Sequence, residues 1–130
     1  AEATGAPVRV GEQVRIPMAV DGHFWVEALV NGKPTRFLID SGATMTTVGR
    51  NTAELVDLRV SDERNQLVRT GNGVIRMANA RAQTLEVGGI ARENVRIFVA
   101  ENDDLNVLGM NFLSSLRRWS VEGRWLILEA

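Results

Sequence analysis

Phe37-Leu38-Ile39-Asp40-Ser41-Gly42-Ala43-Thr44 runs from an apolar, strand-forming triplet straight into a carboxylate, a hydroxyl and a glycine. An apolar run that ends in Ser-Gly predicts a strand delivering its last residue into a sharp bend. At such a bend the Asp40 carboxylate can leave the sheet. Gly42, with no Cβ, lets another backbone or a ligand come close. If the chain does chemistry, Asp40 is the residue expected to do it.

Composition narrows that chemistry. The chain has 130 residues, 45% hydrophobic and 24% charged, which are values for one ordinary folded domain with a real core. Lys+Arg total 15 against 16 Asp+Glu, for a net charge of −1, and the basic residues are scattered, so no nucleic-acid partner is expected. Cysteine is absent and His23 is the single histidine, which excludes thiol nucleophiles, disulfides and the usual Cys/His zinc sites. A Ser-His-Asp triad would have to pass through His23. That residue directly follows Asp21-Gly22 and reads as the flank of an exposed turn. Carboxylates are then the acid–base groups that remain.

Outward from Asp40 toward the N-terminus, Pro34 to Asp40 is preceded by Asn31-Gly32, a type I′ turn signal, and by the alternation of Phe24, Val26, Ala28 and Val30. Before that, Val14, Ile16, Met18 and Val20 share one face of a strand that ends at Asp21-Gly22, with Pro17 marking it as an edge. Three antiparallel strands are thus expected to lead into the Asp40 turn. Residues 1–12 read as a polar, flexible arm, and residues 13–130 as one domain. The opening Ala-Glu-Ala-Thr-Gly-Ala-Pro lacks the plan of a signal peptide, and no apolar run approaches the ~18 residues of a membrane span. No membrane contact is expected of this segment, although it would also suit the ectodomain of a longer, tethered protein.

Toward the C-terminus, Gly49 to Leu58 predicts a short helix and residues 59–66 a polar loop. Leu67 to Thr70 and Val74 to Met77 flank Gly71-Asn72-Gly73, a hairpin tip. A long half-buried strand to Val87, a turn at Gly88-Gly89 and a buried strand from Val95 to Ala100 follow. Glu101-Asn102-Asp103-Asp104 reads as a solvated acidic loop, without the ligand spacing of a calcium loop, so no metal is expected. Val107-Leu108-Gly109 then opens an amphipathic helix over Met110 to Arg117, and Trp119 to Leu128 forms a closing hairpin. The fold class expected is mostly β, a closed β-barrel with one or two short helices.

A strand, Asp-Ser-Gly and a helix in the first half are echoed by a strand, Val-Leu-Gly and a helix in the second. From about Val14 to Leu128 this order resembles the retropepsin-like aspartic proteases, which are single-domain enzymes of the retroviral type. They carry an apolar pair before Asp-Thr/Ser-Gly-Ala, a glycine-bearing flap and an apolar-apolar-Gly opening a C-terminal helix. The Asp21-Gly22-His23-Phe24-Trp25 approach and the Trp-flanked last hairpin look most like the bacterial branch. That likeness implies a periplasmic domain or one tethered outside the cytoplasm, with a cytoplasmic site as the alternative.

The resemblance implies an aspartic endopeptidase that needs no cofactor. Two carboxylates share one proton; the charged one draws a proton from water while the protonated one donates to the peptide carbonyl. With a single Asp-Ser-Gly, the chain would form a homodimer with one Asp40 from each subunit. By the same resemblance Ser41 braces the partner's loop, Gly42 lets the two loops approach, and Ala43 and Thr44 complete the catalytic loop. Gly71, Asn72, Gly73 and Val74 would form a flap over a peptide or protein substrate. Val107, Leu108 and Gly109 would support the loop from behind. Retroviral members are polar and acidic where Met45 and Thr46 stand here, which would change the pocket wall, and their dimers interlace both chain ends in one sheet. The alternative reading is a catalytically silent domain of this fold that binds peptide or dimerises. A generic β-barrel ligand binder would leave the Asp-Ser-Gly and Val-Leu-Gly pairing to coincidence.

Overall fold

A computed structural model describes residues 7–61, 66–70, 73–101 and 105–130. In chain order the elements are β1 (Val8–Val10), β2 (Gln13–Pro17), β3 (Trp25–Val30), β4 (Lys33–Ile39), β5 (Thr47–Gly49) and α1 (Arg50–Leu55). They continue with β6 (Arg59–Val60), β7 (Gln66–Thr70), β8 (Gly73–Val87), β9 (Ile90–Ala100), β10 (Val107–Leu108), α2 (Met110–Leu113), β11 (Arg118–Glu122) and β12 (Trp125–Glu129). The protein is mostly β, as its sequence pattern predicts.

Among the described residues the strands form two sheets. The larger has the order β3-β4-β10-β5-β9-β8-β6, with β7 also paired to β8. Pairing of Leu29 with Glu86 and Val30 with Leu85 joins β3 to β8 and turns that path into a ring. Alternation produces the interior: Val26, Ala28 and Val30 from β3 and Phe37 from β4 point inward and are fully buried. The Asn31-Gly32 link is the expected mirror-image turn, with φ of 52° and 79°. Phe37 and Phe112 are the largest fully buried side chains. Burying one such aromatic is worth roughly 2–3 kcal/mol.

The smaller sheet, β1-β2-β12-β11, joins the two ends of the chain. Val14 and Ile16 of β2 with Leu126 and Leu128 of β12 enter the same core cluster as Phe37 and Leu85, so the two sheets enclose one interior. Here the sequence expectation needs correction. β2 pairs with β12, not with β3, and β3 and β4 alone form the antiparallel approach to Asp40. The strand ends at Pro17, which explains why Val20 lies outside it and is 83% exposed. Pro17 pairs with Trp125 on one side, and β1 reaches only Gln13 to Arg15 on the other, so the proline sits where no second ladder needs its missing N–H. The turn at Asp21-Gly22 is present, with the Gly22 N–H donating to Ala19 O at 2.9 Å and the Ala19 N–H to His23 O at 2.8 Å. It links two sheets and does not close a hairpin.

Part of the stretch read as an arm, Val8–Val10, pairs with β2; residues 1–6 lie outside the described residues. Arg59–Val60, expected in a loop, forms a short strand against β8. The helix expected over Met110 to Arg117 is only Met110–Leu113, because Ser114 to Arg117 turn the chain toward β11. Leu116 is still buried, so the apolar stripe was real although the helix is short. No helix of the described residues is long and apolar enough to cross a membrane.

Candidate active site

β10 is only two residues long, but it lies between the strand that enters the Asp40 loop and the strand that leaves it. Val107 and Leu108 pair in parallel with Leu38 and Ile39 of β4, and Val107 pairs antiparallel with Thr47 of β5. Residues 40–46 therefore arch over the end of β10. The Asp40 N–H donates to Leu108 O at 3.0 Å, and the Ile39 N–H to Phe24 O at 2.9 Å, which fixes the backbone on both sides of the strand end. Asn106 adds a tie at the other end of β10: its Oδ1 accepts from the Gly49 N–H at 3.2 Å and its main-chain oxygen from Leu38 N–H at 2.9 Å.

Within the loop, Asp40 Oδ1 accepts from the Gly42 N–H at 2.8 Å and Asp40 O from the Ala43 N–H at 3.1 Å. The carboxylate is exposed, with one oxygen oriented by its own turn. A Cβ on Gly42 would stand 3.1 Å from Asp40 Oδ1, tight enough to press on that contact.

The start of α2 holds the far half of the loop. Its first N–H groups have no partner within the helix, and loop oxygens supply them. Gly109 N–H donates to Thr46 Oγ1 at 3.1 Å, Met110 N–H to Ala43 O at 2.8 Å and Asn111 N–H to Thr44 O at 3.1 Å. In return, Asn111 Oδ1 accepts from both the N–H and the hydroxyl of Thr46, each at 2.8 Å. The Asn111 amide nitrogen donates to Arg96 O at 2.8 Å, anchoring the group to β9. Gly109 has extended backbone, so its glycine is needed for space: a Cβ would lie 2.7 Å from Met45 C and 2.8 Å from Ala43 O.

The sequence-derived positions thus fall into three groups. Asp40, Ser41, Gly42, Ala43 and Thr44 form one loop, and Val107, Leu108 and Gly109 lie directly behind it. Gly73 and Val74 begin β8 in a hairpin with β7, and Val74 is exposed; Gly71 and Asn72 lie outside the described residues. Asp103 and Asp104 of the acidic loop also lie outside them. Thr46, read as part of a pocket wall, is fully buried and serves the loop from inside. Asn111 was missed; its only signal was a polar residue two places after Gly109 at the head of an apolar stripe.

Beside the strand end, Asp21 accepts from the His23 N–H at 2.9 Å and from the Trp25 indole N–H at 2.8 Å. These bonds, the backbone one first, hold its carboxyl below the usual carboxylate range, against a small opposing effect of desolvation. The Arg36 guanidinium lies 4.7 Å from the Trp25 ring centroid. Among the described residues no group of three or more His, Asp or Glu side chains is placed to hold a metal ion.

Residues 26–115 match the family model described as "gag-polyprotein putative aspartyl protease". The chain belongs to this family. Its retropepsin-like fold is seen in the crystal structure of a retropepsin-like aspartic protease from Rickettsia conorii. The TM-score is 0.70 at 25% identity, covering 89% of this chain and 88% of that one. EIAV protease complexed with the inhibitor HBY-793 gives a TM-score of 0.67 at 18% identity over 79% of this chain and 96% of that one, a likeness of fold. Among curated proteins, the uncharacterized protein in the cobV 5′ region of a Sinorhizobium species is 32% identical over 108 residues, 81% of this chain and 46% of that protein. The uncharacterized protein RP867 of Rickettsia prowazekii (strain Madrid E) is 26% identical over 121 residues, 92% of this chain and 52% of that protein. This retropepsin-like chain spans about half the length of the curated relatives it matches. The matched region contains the Asp40 loop, β10 and α2, while Asp21 to Trp25 lie just before it.

Proposed function

We propose that this domain is an aspartic endopeptidase whose site is completed by a second copy of the chain. The observation that carries the reading is the Asp40 loop itself: an exposed carboxylate, oriented by Gly42 N–H, on a loop clasped between β10 and α2. One such loop supplies one carboxylate. A two-fold axis beside Gly42 brings a second Asp40 to it. The two carboxylates then hold one proton between them, as aspartic-protease dyads do, because neighbouring like charges cannot both ionise. The ionised member takes a proton from the attacking water, the protonated member donates to the carbonyl oxygen, and no covalent intermediate forms.

Closure over substrate falls to the β7–β8 hairpin, whose exposed Val74 and Ile75, together with exposed Leu105, favour apolar residues beside the scissile bond. The chain-end sheet differs from the interlaced retroviral arrangement. β12 is flanked on both sides by strands of its own chain, which favours association through surface other than its edges.

The test is mass spectrometry of a diverse peptide mixture incubated with the wild-type protein and with Asp40→Asn from acidic to neutral pH, with sedimentation of both samples. A dimer that cuts beside apolar residues, and loses cutting in Asp40→Asn, supports the proposal. A confirmed dimer that cuts nothing at any pH overturns it in favour of a peptide-binding or dimerisation module.

A further inference from the structure

Arg59, Arg81 and Arg96 stand in a row across three neighbouring strands. Arg59 is opposite Arg81 in the β6–β8 register, and Arg81 is opposite Arg96 in the β8–β9 register. Directly opposed residues share a face of the sheet. The alternate positions Ala80 and Ile97 are buried, so the arginine row faces outward. Like charges directly opposite one another weaken strand pairing. Nothing among the described residues neutralises them: Arg81 donates to Asn94 O at 3.3 Å and Arg96 to Asn79 Oδ1 at 2.9 Å, both uncharged acceptors. The described ion pairs involve other residues. Together with Ser61, Asn79 and Ala80, the three arginines line a cleft of about 450 Å³.

We infer that this cleft binds an extended acidic peptide segment through its carboxylates. Arginine forks match carboxylates in bidentate geometry. Neighbouring strands are about 4.8 Å apart, so the row extends across roughly 10 Å, wider than a single oxyanion. An extended chain carrying acids at alternate positions places them about 7 Å apart and reaches two forks at once. Among the described residues β6 is the last strand in the order of its sheet, so the row lies open at that end to a chain that crosses the strands. A single-stranded nucleic acid calls for aromatic stacking platforms, and none of the residues lining this cleft is aromatic. The inference does not depend on Asp40.

Fluorescence anisotropy with labelled octaglutamate at low ionic strength tests it, with octaglutamine as the uncharged control and inorganic phosphate and an eight-residue oligothymidylate as competitors. Octaglutamate is expected to bind, to weaken as salt rises, and to bind about tenfold more weakly to Arg81→Gln. Removing the central charge of the row is expected to leave the melting temperature of Arg81→Gln unchanged or raised, which a purely structural arginine would not do. Arg59→Gln, at the edge, provides the same binding comparison if Arg81→Gln fails to fold. Asp40→Asn should bind as wild type, which separates this test from that of the peptidase reading. Four results overturn the inference: no octaglutamate binding by folded wild type, equal binding of octaglutamine, undiminished binding by the folded arginine variants, or displacement by phosphate or oligothymidylate at lower concentration than by unlabelled octaglutamate.

Discussion

Asn111 and Thr46 are 65 residues apart in sequence, and one side-chain oxygen of Asn111 accepts both the main-chain N–H and the hydroxyl of Thr46 at 2.8 Å. The hydroxyl's oxygen meanwhile accepts from Gly109 N–H at 3.1 Å. The chain thus locks the Asp40 loop to the start of α2 through two polar side chains, and Thr46 is wholly enclosed.

Asn111→Ala is expected to destabilise the fold by about 2–3 kcal/mol, because it strands buried donors of Thr46 with no replacement acceptor. Urea unfolding measures the loss. Asn111→Asp keeps the acceptor but loses the donor to Arg96 O, and a milder effect is expected. Equal stability of wild type and Asn111→Ala would show that the lock contributes nothing.

Gly109→Ala should fail for a different reason. Its methyl would stand 2.7 Å from the main-chain carbon of Met45 and 2.8 Å from its oxygen, and backbone cannot rotate away as a flexible side chain can. The expected cost is about 1–3 kcal/mol, with the Asp40 loop displaced. Thermal unfolding reads the first, and any peptidase activity should fall further than the stability loss explains. Gly123→Ala is the useful comparison: a Cβ there meets nothing within 4 Å, and only its φ of 61° opposes the change.

Glu129 binds both neighbours of β12. It accepts from Arg117 at 2.8 Å and Gln13 Nε2 at 3.1 Å, and it is opposite Gln13 on β2 and Arg118 on β11. Arg117 is well exposed, at 65%, and recovers water when its partner goes, so Glu129→Ala should cost only about 1 kcal/mol. The loss should appear as faster amide exchange in β2 and β11, with the Asp40 loop unaffected.

Acid should act through Asp21. Its carboxyl is held below the ordinary value in the folded chain, so its contribution is fully present above the unfolded pKa and is lost as pH falls through the lower folded pKa. Asp21→Asn is expected to flatten the acid limb of the stability curve below about pH 4. Trp25 emission, reporting the indole bond to Asp21, should change over the same range in wild type alone. An unchanged acid limb would remove Asp21 from the account.

Much of the site was legible because its signals are local. Phe37 to Thr44 carries its strand, bend and carboxylate in eight consecutive residues, Asn31-Gly32 dictates a turn by φ preference, and Val107-Leu108-Gly109 stands out before an apolar stripe. What could not be read was partner choice. The alternation of Val14 and Ile16 shows which face of β2 is buried but not that β12 covers it, since pairing across more than a hundred residues leaves no periodic mark. The Thr46–Asn111 lock is hidden for the same reason, and a threonine-rich run looks alike whether its hydroxyls face water or a distant amide. The Arg59–Arg81–Arg96 row emerges only when the registers of three strands are aligned, β6 with β8 and β8 with β9, so residues that look scattered along the chain become neighbours in the sheet.

β12, enclosed between β2 and β11 of its own chain, has a consequence for control. Under the proposed dimer, closing this sheet takes no strand from a partner, so pairing of two chains is a separate step. Under the proposed dyad, cleavage in dilute solution then rises with the square of protein concentration. On that reading the abundance of the chain, or its crowding onto one surface, acts as the on-switch, with β12 staying in the sheet of its own chain.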